Sequence, residues 1–168
     1  MKLRKIFRIS IVVLILVVGT LLLLSLYRPG LSLVLRDQQT GKVLASAAVE
    51  EGMQVTFSWI HSAEFIPWIE EYTILDGSFH LKTIQVAGFG AGIPENKGTT
   101  SLRDGMVVME ELDQVFPEIR WIHSQTALTK ITLENRIFIT GENVPHHIPV
   151  ELHIEGVGTI WPRFRLTK

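Results

Sequence analysis

The stretch "HSAEFIPWIEEY", residues 61–72, sets His61 and Ser62 beside Glu64 and then, past Pro67 and Trp68, supplies Glu70. An imidazole, a hydroxyl and carboxylates this close together are raw material for three chemistries. A metal site would draw on His61, Glu64 and Glu70, with His123, His146 and His147 as further imidazoles, because zinc and its neighbours take three or four N or O ligands. No spacing in the chain matches a recognised metal motif, and His146 and His147 are adjacent, so on an extended chain their rings point apart. A nucleophilic hydrolase would need a serine activated by a base, with Glu70 orienting His61. Ser62 and Ser124 each follow a histidine, but strand neighbours face opposite sides and there is no Gly-x-Ser-x-Gly elbow. The third reading is structural. A carboxylate in apolar surroundings is costly unless a charge or donor answers it, so His61 and Glu70, with Ser62, would form a buried polar network that pins a bend.

Strands must position these groups, because the dominant apolar period is two. In "MQVTFSWIH" it puts Met53, Val55, Phe57, Trp59 and His61 on one face and Gln54, Thr56, Ser58 and Ile60 on the other. Pro67 cannot donate to a ladder, so "SAEFIP" reads as a loop between two strands, and the second strand groups Trp68, Glu70, Tyr72 and Ile74. "WIEEYTIL" and "SFHLKTIQV" flank Asp76-Gly77, a strong hairpin signal. Asp104-Gly105 before "MVVM" and Glu134-Asn135 between "LTKITL" and "RIFI" suggest two more, and "VELHI" turns Val150, Leu152 and Ile154 inward. The expectation is all-β, eight to ten short and mostly antiparallel strands in a β-sandwich or small barrel. "MEELDQVFPEI" is the one candidate helix, a turn or two ended by Pro117.

"GFGAGIPENKG", residues 88–98, has alternating glycines whose spacing does not fit a dinucleotide-binding loop, and no βαβ unit follows it. A close crossover between strands suits it better than an anion nest built from the amides of Gly90, Ala91 and Gly92. "WPRFR", residues 161–165, reads as a last strand or a patch leaning on lipid or a partner.

Residues 9–27 carry no charge, close to the ~20 apolar residues that span a bilayer, and Lys2, Arg4, Lys5 and Arg8 precede them. That arrangement predicts one transmembrane helix acting as an uncleaved anchor: residues 1–28 form a cytoplasmic basic stub and membrane span, and residues 29–168 an extracytoplasmic β domain. "SLYRPG" offers no small-residue cleavage site. Cysteine is absent, which excludes disulfides and thiolate metal sites. Five of the sixteen Lys and Arg lie in residues 1–28, leaving eleven against seventeen Asp and Glu, a net of −6 for the outer domain. Such a domain is a poor nucleic-acid binder.

The two stretches together resemble the bacterial domain-of-unknown-function 1850 family, which carries a His-Ser-x-Glu segment, a following Pro-Trp-x-Glu and a later Gly-Ala-Gly. The resemblance covers residues 57–94 and marks His61, Ser62, Glu64, Pro67, Trp68, Glu70, Gly90, Ala91 and Gly92. This chain has Ala63 where the family has an aliphatic residue, and Ile93-Pro94 after the Gly-Ala-Gly. Members are often encoded beside, or fused to, membrane subunits of tripartite ATP-independent periplasmic (TRAP) transporters of the TAXI type. The resemblance therefore implies an accessory role in solute uptake, with the transporter's membrane subunit or its solute receptor as partner and neither a reaction nor a cofactor of its own. A ligand- or metal-binding module using His61, Glu64 and Glu70, or an anchored hydrolase, are the alternatives. Deleting residues 1–28 is expected to release a soluble domain, checked by membrane fractionation of the truncated chain; persistent association would implicate "WPRFR" or a tightly held partner.

Overall fold

Alternating apolar residues bounded by turn formers produce strands almost throughout. The computed structural model describes residues 2–26, 28–88 and 98–159, and side chains within 10–25, 30–88 and 98–157. The chain divides into a unit spanning Leu31–Glu155 and a second unit of residues up to Gly30 and from Gly156 onward. The second holds helix α1 (Lys2–Leu26). Its described side chains run over residues 10–25, and no helix among the described residues is long and apolar enough to cross a membrane. The basic cluster that precedes this run, together with Tyr27 and "WPRFR", lies outside the described residues or side chains.

Among the described residues twelve strands follow, two more than the expected maximum: β1 (Arg28–Asp37), β2 (Val43–Val49), β3 (Gln54–Ile60), β4 (Pro67–Leu75), β5 (Ser78–Val86), β6 (Thr99–Arg103), β7 (Met106–Glu110), β8 (Gln114–Phe116), β9 (Glu118–Ile122), β10 (Leu128–Leu133), β11 (Arg136–Thr140) and β12 (Pro149–Thr159). One sheet runs β2-β1-β12-β9; the other runs β11-β10-β3-β4-β5-β7-β6, with β8 also paired to β5. Within the Leu31–Glu155 unit the inward residues of both sheets share one core, Leu33, Leu35, Val150 and Leu152 from the first packing with Val55, Phe57, Ile74, Phe79 and Ile131 from the second. That is the sandwich arrangement of an all-β fold.

All three expected hairpins form. Asp76-Gly77, Asp104-Gly105 and Glu134-Asn135 have positive φ at both residues (51°/66°, 49°/79° and 48°/62°), which matches the twist of the strands they join. The helix expected in "MEELDQVFPEI" does not: Glu111 turns left-handed (φ 58°), and the segment divides into the end of β7, then β8 and β9 around Pro117. Phe116 pairs opposite Phe79 and the side chain of Leu112 is buried, so strand pairing and core burial outweigh the local helical pattern.

Gly141 opens a short 3-10 turn against β10. A Cβ there would overlap the Leu128 carbonyl oxygen, which is fixed backbone. Gly141→Ala is expected to cost about 1–3 kcal/mol or more in urea unfolding of the full chain, whereas Gly41→Ala, with open space around it, pays only for its left-handed φ.

Candidate functional site

The loop at 61–66 is closed on His61. Its backbone N–H donates to Ile66 O (2.8 Å), its carbonyl accepts from Phe65 N–H (2.8 Å), and its ring Nδ1 accepts from Glu64 N–H (3.2 Å). The ring stacks parallel on Trp68, 5.6 Å between centroids and 7° between planes. These contacts hold Phe65 at φ 55°, a left-handed conformation uncommon for a bulky side chain, and leave Ser62, Ala63, Glu64 and Phe65 exposed.

Below the loop, β3 and β4 pair with Trp59 opposite Trp68, Phe57 opposite Glu70 and Val55 opposite Tyr72. Phe57 and Tyr72 are core residues, so Glu70 occupies an inward row. Its Oε2 accepts from Trp59 Nε1–H and from Tyr72 O–H, each at 3.2 Å. Burial pushes the Glu70 carboxyl above its usual range, with the Tyr72 and Trp59 hydrogen bonds opposing. The Trp68 indole N–H also favours the charged form. Yet Trp68 Nε1 is buried with no acceptor in hydrogen-bond geometry, so it acts as a nearby dipole rather than through a bond. Burial, followed by the Glu70 charge, raises the Tyr72 phenol. Aromatic rings close the surroundings: Phe57 lies 5.5 Å from Trp59 and 5.8 Å from Trp121, and Trp59 lies 5.8 Å from Trp121 across the sandwich.

The expected His61–Glu70 pair is not made. His61 spends its Nδ1 within its own loop, and Glu70 turns to Trp59 and Tyr72, since the two aromatic donors of its own face lie nearer than a ring displaced past the end of β3. Consequently His61, Glu64 and Glu70 do not converge, and no group of three or more His, Asp or Glu among the described residues could hold a metal ion. Nor is Ser62 Oγ hydrogen-bonded to His61 among the described residues, so the pair lacks the nucleophile–base contact of a hydrolase.

The two motif stretches do meet at their edges. Pro67 O accepts from Ala87 N–H (3.1 Å), and a Cβ on Gly88 would touch Ile66 at 3.3 Å. Gly90, Ala91 and Gly92 lie outside the described residues. His123, one of the candidate imidazole ligands, is fully buried, accepts from Trp121 Nε1–H on Nδ1 (3.4 Å) and donates from Nε2 to Gly141 O (2.9 Å). Burial pushes its pKa down, consistent with a neutral ring that uses both nitrogens structurally. His146 and His147 defy their sequence neighbourhood and stack at 3.6 Å, because His147 takes a left-handed φ of 60°.

Two antiparallel sheets closing on one core, with a carboxylate held by aromatic donors beneath an exposed loop, define an all-β protein built around the β3–β4 hairpin. The family model described as a domain of unknown function (DUF1850) matches residues 55–138, half of the chain, and the chain belongs to that family. No curated protein and no solved structure matches it.

Because the folded-state pKa of Glu70 is raised above 4.5, the folded chain holds more protons than the unfolded one in the window just above that value. Its contribution is therefore fully present below the unfolded pKa and is lost as pH rises through the folded one. Glu70→Gln keeps an acceptor without the charge and should flatten that fall. Glu70→Ala leaves Tyr72 and Trp59 without an acceptor and should cost about 1–3 kcal/mol at neutral pH. Thermal unfolding of the three proteins between about pH 4 and 8 checks both; parallel curves for wild type and Glu70→Gln would contradict a buried carboxyl.

Proposed function

We propose that this chain is a membrane-anchored extracytoplasmic accessory domain that works by binding a component of a TAXI-type TRAP transporter, its membrane subunit or its solute receptor. Family membership supports the transporter link, through the resemblance described above. The observation that carries an interaction role is the 61–66 loop: its hydrogen bonds are spent on holding its own shape, and the side chains it presents, Ser62, Glu64 and Phe65, are given to solvent. A preordered exposed loop on a rigid sheet is how binding surfaces are commonly made.

The anchor rests on the uncharged run at residues 9–27. Within it, α1 exposes large apolar side chains from Ile11 to Leu24, an all-round apolar surface suited to lipid. The side chains described within α1 cover residues 10–25, fewer than the ~20 apolar residues a span needs. With the amino terminus inside, the β unit lies outside the membrane, and the chain needs no chemistry of its own.

Crosslinking and pull-down of the full-length chain from native membranes tests the reading. Recovery of a transporter membrane subunit or solute receptor with wild type, reduced at least several-fold by Glu64→Lys at unchanged melting temperature, is expected. Recovery of neither, from intact protein, would sink it.

A further inference from the structure

The exposed large hydrophobic residues of the Leu31–Glu155 unit are unevenly placed. Of six among the described residues, four lie at one end of the strands: Phe65 (78% exposed), Leu102 (75%), Ile122 (66%) and Val43 (46%). Pairing fixes their common level. Leu102 lies opposite Val107, Val107 opposite Val86, Val86 opposite Trp68 and Trp68 opposite Trp59, one row across the larger sheet at the height where the 61–66 loop begins. In the smaller sheet Ile122 lies opposite Pro149, whose carbonyl accepts from Gln38 N–H, just before the turn leading to Val43. The 123–127 segment ties the two sheets together at this end, with His123 N–H donating to Ile148 O and Ile60 N–H to Ala127 O.

The first and last residues of this unit lie at the opposite end, Leu31 opposite Val49 and Glu155 two residues beyond His153, which faces the first residue of β9. Among the described residues the 61–66 end carries Asp37, Glu64, Asp104 and Glu142 against Arg36, Lys42 and Arg103, and since Arg36 is paired with Glu155 and Arg103 with Glu110, Lys42 is the one cation left to answer the four carboxylates. Phe65 adds an aromatic whose backbone is fixed by the three bonds around His61, so docking it costs little ordering entropy.

We propose that this end, formed by the 61–66 loop and the tips around Val43, Leu102 and Ile122, is the docking surface of the domain, and that its occupant is a protein presenting an apolar recess bordered by Lys and Arg. This rests on the reading that the chain acts through a protein partner. It adds which end engages that partner and what the partner's surface looks like. Opposite charge at the rim steers encounter and register, while Phe65 and Leu102 supply the buried anchor.

The test is photocrosslinking in native membranes with a benzophenone amino acid placed, one position at a time, at 65, 102, 115 or 137 of the full-length chain. Val115 and Ile137 are exposed at the other end and serve as controls. Expected is one protein adduct common to positions 65 and 102, its crosslinked peptide apolar with flanking Lys or Arg, absent from 115 and 137. The adduct from 102 should fall several-fold with Glu64→Lys or Phe65→Ser. Adducts with lipid, with a second copy of this chain, from positions 115 and 137 only, or from no position overturn the docking surface. A tip adduct with a protein foreign to any transporter leaves the surface standing and sinks the transporter reading. A transporter subunit captured only through 115 or 137 does the reverse.

Discussion

A carboxylate on the inward row of a β-strand must find donors or lose its charge, and Glu70 meets that demand inside an aromatic cluster. It faces Phe57 across the β3–β4 ladder and Ile84 across the β4–β5 ladder, both buried. Its donors, Trp59 and Tyr72, come from the same two strands that pair at its own level, so the interaction can form only in this register. A one-residue slip of β4 would put Glu71 inward and turn Glu70 to solvent. Glu71 instead sits on the other face, accepting from Thr83 Oγ1 at 2.6 Å. The carboxylate thus costs stability and specifies pairing, a use of buried polarity that an aliphatic residue at the same place could not serve.

The register so fixed explains the loop above it. With Ile60 opposite Pro67, six residues must close the hairpin, and they do so by winding around the His61 backbone and ring. Stacking on Trp68 seats that ring; the seated ring accepts from Glu64, and Phe65 is driven into a left-handed backbone with its side chain in water. An L-residue in that region carries a conformational cost of order 1–3 kcal/mol and persists only where its surroundings impose it. Here three hydrogen bonds impose it, and the product is an outward aromatic.

Period-two alternation made the framework legible in the sequence, because each strand is buried on one side only and each hairpin announces itself by residues tolerant of positive φ. Val55 and Phe57, or Val150 and Leu152, could be assigned to the core from parity alone. Parity also grouped Trp68, Glu70 and Tyr72. What it could not supply was the choice between partners. It placed His61 and Glu70 on one face but gave no distances, and the phenol and indole next to Glu70 are closer than an imidazole past the strand end. Nothing in "SAEFIP" signalled a left-handed phenylalanine, since the cause is a ring of hydrogen bonds set by the sheets. The helix expected near Pro117 failed for a related reason: local pattern ignored the pairing of Phe116 with Phe79.

The His-Ser-x-Glu and Pro-Trp-x-Glu segments therefore divide into two kinds of residue. Trp68 and Glu70 point into the molecule and fix pairing; Pro67 starts β4 where an N–H is least needed, and His61 is the hinge between interior and surface. Ser62 and Glu64 answer to nothing in the fold beyond the backbone of the latter, and with Phe65 they are what the arrangement delivers to the outside. The same three bonds that close the loop on His61 thus fix the backbone from which these side chains leave, so the interior register of β3 and β4 decides what the hairpin end presents to solvent.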